Sequence, residues 1–123
     1  MTDIPDPREF IDAPLIERAV LLLRGAFRQD AESASRINVA QAIANGVDNG
    51  VGGSPMVVGT RGADPAVLRL VSEAWLILEQ ALCICPDLAH PEGDWWVLTM
   101  RGRTTRDSGD PDGEIRLALS GNL

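Results

Sequence analysis

The sequence predicts an α+β fold, mainly α with a small β-hairpin, on three observations. Three segments carry apolar residues at helical spacing. Two of them open on a carboxylate followed by proline, Asp12 with Pro14 and Asp64 with Pro65. After residue 82 the period shortens to two apolar runs of β type, Cys83–Ile84–Cys85 and Trp95 to Thr99, separated by Pro86, Pro91 and Gly93.

The first helix is expected over 13–29. Asp12 offers a capping carboxylate, and Pro14 falls in the first turn, where a missing N–H costs nothing. Leu15, Ile16, Ala19, Val20, Leu22, Leu23, Ala26 and Phe27 form one broad stripe, with Glu17, Arg18, Arg24 and Arg28 mostly off it. Residues 1–11 read as an irregular arm, because Pro5 and Pro7 disfavour helix. Arg36–Ile37 is expected as a very short strand. Asn38 then caps a second helix, with Gln41 as its capping-box partner, ending near residue 46 or 47. Residues 49–63 form a Gly-rich loop that is long for a compact domain. The third helix is expected over 65–82, with Leu68, Val71, Trp75, Leu78 and Leu82 as its stripe. The hairpin follows. Arg101 to Gly113 is polar, and Glu114 to Leu119 reads as a last strand because Ile115, Leu117 and Leu119 alternate. The chain thus divides into an arm (1–11), a domain (12–103) and a polar tail with a short strand (104–123).

The order helix, short strand, helix, helix, hairpin is that of a winged helix-turn-helix, a pattern other folds share. In that fold the third helix lies on nucleic acid and the hairpin forms a wing beside it.

At 123 residues the chain fits one domain. Its 45% hydrophobic content excludes a disordered tail, and with three Trp, two Phe and no Tyr the core must be aliphatic. The longest apolar run, Ala19 to Leu23, is stopped by Arg24, so no membrane span is expected. The acidic, Pro-containing start from Met1 to Glu9 is unlike a signal peptide. The expected compartment is the cytoplasm, with Cys83 and Cys85 reduced. There is no Lys, and the Ala/Gly/Arg/Asp-rich composition resembles the products of GC-rich bacterial genomes. The net charge of −7 opposes general nucleic-acid binding, which rests on phosphate neutralisation; binding would need a local arginine cluster.

Two stretches carry a resemblance. They are Glu73-Ala74-Trp75-Leu76-Ile77-Leu78-Glu79, running on through Gln80 to Asp87, and Gly93-Asp94-Trp95-Trp96-Val97-Leu98-Thr99-Met100-Arg101-Gly102-Arg103. Together they resemble the end of many winged-helix domains: a helix closing on Leu-Glu, a short strand, a turn, and a strand ending in "LT-x-x-G". They are most similar to the winged-helix segment that precedes a HEPN-like, abortive-infection-type domain in uncharacterised bacterial proteins. Arg36-Ile37-Asn38-Val39 looks like the strand-to-helix step of those proteins. The likeness spans about residues 36–103 and implies the fold more than the function. No counterpart of the following domain is read here, so its ribonuclease activity is not implied. Such helices usually end on Gly, whereas Ala81 and Leu82 stand here, so a differently built cap is expected.

For the functional residues the readings stay paired. Arg101, Arg103 and Arg106 either contact phosphate beside the wing or belong to a solvated loop neutralised by Asp107, Asp110 and Asp112. On the third helix only Arg69 is a strong guanine donor, with Ser72 beside it, while Asp64 and Glu73 would repel phosphate. Trp95 and Trp96 point to opposite faces of a strand. One is core; the other is free to stack on a base or anchor a partner. Trp75 reads as core. Cys83 and Cys85 share a strand face, with His90 after them, but three ligands without a second Cys/His pair favour buried thiols and a loop histidine over a metal site. No serine carries a nucleophile motif, there is one His, and Gly50 to Ser54 lacks the GK[ST] close. A non-enzyme with no metal and no cofactor is expected. Three functions are open: a small-ligand sensor with the Gly-rich loop as a lid, a regulatory or defence-associated nucleic-acid binder with double-stranded DNA as partner, or an acidic protein-interaction module. The last would bind another protein, or form a homodimer through the first helix or the last strand.

Overall fold

The computed structural model describes residues 6–27, 33–49, 64–90 and 94–120. The elements run α1 (Pro7–Asp12), α2 (Leu15–Ala26), β1 (Ser33–Ser35), α3 (Arg36–Asn49), α4 (Pro65–Gln80), β2 (Ile84–Pro86), β3 (Trp95–Leu98), α5 (Met100–Asp107) and α6 (Pro111–Leu119). The protein is mainly helical with one three-stranded antiparallel sheet in the order β1-β3-β2. Ala34 pairs with Trp96, and Cys85 with Val97, so β3 is the central strand.

Three Asp-Pro pairs open helices. Asp6, Asp64 and Asp110 each accept a backbone N–H of the first turn, from Arg8, Ala66 and Gly113, with Pro following at the position that needs no donor. The arm expected over 1–11 is therefore helical from Pro7, and Phe10 within it is fully buried. Asp12 ends α1 rather than opening the next helix, and Pro14 caps α2 without a side-chain bond. Arg18 donates from Nε and Nη2 to the Phe10 and Ile11 carbonyls, each at 3.0 Å, closing α1 where it has no further turn.

The strand expected at Arg36–Ile37 lies one step earlier, at 33–35. Ser35 rather than Asn38 makes the capping contact of α3, accepting the Asn38 N–H at 3.3 Å. The helix also runs to Asn49, past the expected end. From residue 50 the Gly-rich loop lies outside the described residues, as do residues 28 and 29 of the first expected helix.

The tail departs furthest from expectation. Residues 101–107 and 111–113 are not loop and 114–119 are not strand; they belong to α5 and α6, joined by 108–110. The alternation of Ile115, Leu117 and Leu119 misled, because Pro111, Ile115 and Ala118 are the buried set, at helical spacing, while Leu117 is exposed. Acidic Asp112 and Glu114 occupy the first turn of α6, and Arg116 pairs with Asp112 one turn back. A self-pairing C-terminal strand is thus not available.

One core joins all of these pieces. Leu22, Leu23, Phe27, Ile43, Val71, Trp75 and Leu78 are sealed in it, together with Phe10 of α1 and Ile115 of α6. Burial of a side chain of this size stabilises by about 1.5–3 kcal/mol, enough to hold α1 and α6 on the body. No helix among the described residues is long and apolar enough to cross a membrane.

Candidate functional site

Residues 67, 71, 74, 75 and 78 of α4 are buried, so Arg69, Ser72, Glu73, Leu76 and Gln80 face outward. Arg69 makes no ion pair or hydrogen bond among the described residues. The exposed Ser72 donates its hydroxyl one turn back to the Leu68 carbonyl at 3.1 Å. Leu76 is 49% exposed between Glu73 and Gln80. This face mixes one cation, one carboxylate and an apolar side chain.

The three tail arginines separate. Arg101 and Arg103 are exposed on α5. Arg106 is only 8% exposed. Its guanidinium donates to the Phe27 carbonyl at 3.2 Å and to both oxygens of Asp107 at 3.0 and 3.3 Å. That fork is committed to joining α5 to the end of α2. Arg24 completes the joint, donating to the Arg106 and Ser108 carbonyls at the end of α5. Arg69 lies in the second turn of α4, about 17 Å at 1.5 Å per residue from the end of that helix at Gln80, and Arg101 lies in the first turn of α5.

The two tryptophans divide as a strand requires. Trp96 is buried against the edge of Trp75, gives its Nε1–H to Asp94 at 3.0 Å, and lies under the Arg36 guanidinium at 5.5 Å. It offers no surface to a partner. Arg36 in turn pairs with Asp94 at 2.8 Å. Trp95 is half-buried with the His90 ring stacked 5.0 Å away. Trp75 is fully buried against Phe27, and its Nε1–H has no acceptor among the described residues.

The thiols do not share a face. Cys83 precedes β2 and is buried, whereas Cys85 is exposed. Burial pushes the Cys83 thiol up from 9.0, against smaller opposing effects of a hydrogen bond with Thr105 and the charge of Arg101. Among the described residues no three His, Cys, Asp or Glu side chains converge as metal ligands.

The most organised surface feature is the corner where α4, β3 and α5 meet, which sequence reasoning did not single out. Leu82 has φ 62°, the left-handed region. The Cys83 N–H donates to the Leu78 carbonyl and the Leu82 N–H to the Glu79 carbonyl, the paired bonds of a Schellman turn. The cap is therefore the usual one, with leucine in the glycine position, and not the different construction expected. Thr99 fastens the turn. Its N–H donates to the Cys83 carbonyl at 2.9 Å, its hydroxyl donates to the Leu82 carbonyl, and its oxygen accepts the Gly102 N–H at 2.9 Å. Gly102 is buried so close to the Cys83 carbonyl that a Cβ would overlap it. The "LT-x-x-G" pattern does close a strand, β3 ending at Leu98, and its threonine also caps α5 and its glycine makes a close backbone approach. Comparison with protein-family models, with curated proteins and with solved structures finds no match to this chain.

Proposed function

We propose that this protein is a winged-helix-type module that docks another protein, rather than a reader of DNA or an enzyme. For the winged-helix element of the proposal, the support is the order α2, β1, α3, α4, β2, β3 with β3 central in the sheet. The observation that carries the function is the outward face of α4, the helix that would enter a groove. It presents Arg69 as its cation, with Glu73 and half-exposed Leu76 in the next two turns. Phosphate contacts supply most non-specific affinity. Arg69 on α4, with Arg101 and Arg103 on α5, is a thin supply on a chain of net charge −7.

The test is fluorescence anisotropy of labelled mixed-sequence duplex DNA at about 50 mM and about 200 mM salt, a window over which phosphate-driven affinity falls steeply. The expected result is no binding at either. Binding at low salt that collapses at high salt would replace this proposal with the nucleic-acid one. Sedimentation over a wide concentration range then separates a homodimer from a module that needs a different partner.

A further inference from the structure

We draw no further inference here: the strongest candidate, the outer face of the sheet where half-buried Trp95 and Val97 of β3 lie beside exposed Cys85 of β2 and the His90 ring stacked on Trp95, carries nothing because no feature of the structure shows what covers it.

Discussion

The two ends of α4 are built on opposite principles. At its start, everything needed lies within three residues: the Asp64 carboxylate takes the Ala66 N–H, and Pro65 fills the donor-free position. At its end, the turn through Leu82 is held by Thr99 and abutted by Gly102, seventeen and twenty residues further on. A local cap is cheap to break, because the freed N–H groups can turn to water. A long-range joint fails together, because the same few atoms secure α4, β3 and α5. The difference teaches that this helix begins by its own chemistry and ends by tertiary contact.

The sharpest way to break the comparison is Gly102→Ala. Its Cβ would overlap the Cys83 carbonyl, a backbone atom with nowhere to go. A loss of about 3 kcal/mol is expected, seen as a lower urea midpoint at unchanged slope. A loss under about 0.5 kcal/mol, the range of ordinary surface changes, would mean that the joint yields easily. Next is Arg106→Met, which keeps the stem but deletes the fork. It removes a donor from the Phe27 carbonyl and the pair with Asp107. About 2 kcal/mol is expected from a lost charged hydrogen bond in a buried setting. Arg101→Met on the same helix is the control and should change stability by less than about 0.5 kcal/mol.

The contrast also explains what was legible in the sequence. α4 was readable because its apolar stripe and its Asp64–Pro65 cap are local signals. The same signal stood at Asp6–Pro7 and Asp110–Pro111, yet the prolines at 5 and 7 and the period-two pattern of 115, 117 and 119 outweighed it. In α5, Gly102, Thr104 and Thr105 are poor helix formers, so nothing local announces it. It exists because Thr99 caps it, Arg24 closes it and Arg106 anchors it. Candidate residues followed the same division. Arg69 could be placed on an outward face from periodicity alone. That Arg106 is buried three residues from exposed Arg103 depended on where α2 ends. The Leu82 corner was invisible because a positive φ at leucine leaves no mark in a sequence.

Two cap deletions sharpen the comparison directly. Thr99→Val keeps the shape but removes the donor to Leu82 and the acceptor for Gly102, with about 1–2 kcal/mol expected. Asp64→Ala should cost about 1 kcal/mol, and its effect should simply add to that of any corner variant, since distant independent sites add. Thr99→Val and Gly102→Ala together should fall short of their sum. Additivity there, in urea unfolding of the double variant, would show two separate contacts instead of one joint.

The smallest expected effect has the opposite sign. Leu82→Gly relieves a left-handed L-residue, worth about 1–2 kcal/mol. Against this stands about 0.5–1 kcal/mol for the extra freedom glycine brings to the unfolded chain. The half of the side chain that is covered adds a further small loss. The balance is a gain of about 0.5 kcal/mol, a rise in Tm of about 2 °C for a domain of this size. A calorimetric scan decides it. A rise means that the fold tolerates Leu82 without needing its side chain. A fall of about 1 kcal/mol, the size of a lost core contact, would mean that the leucine is a structural plug, and the far end of α4 would then be built for stability alone.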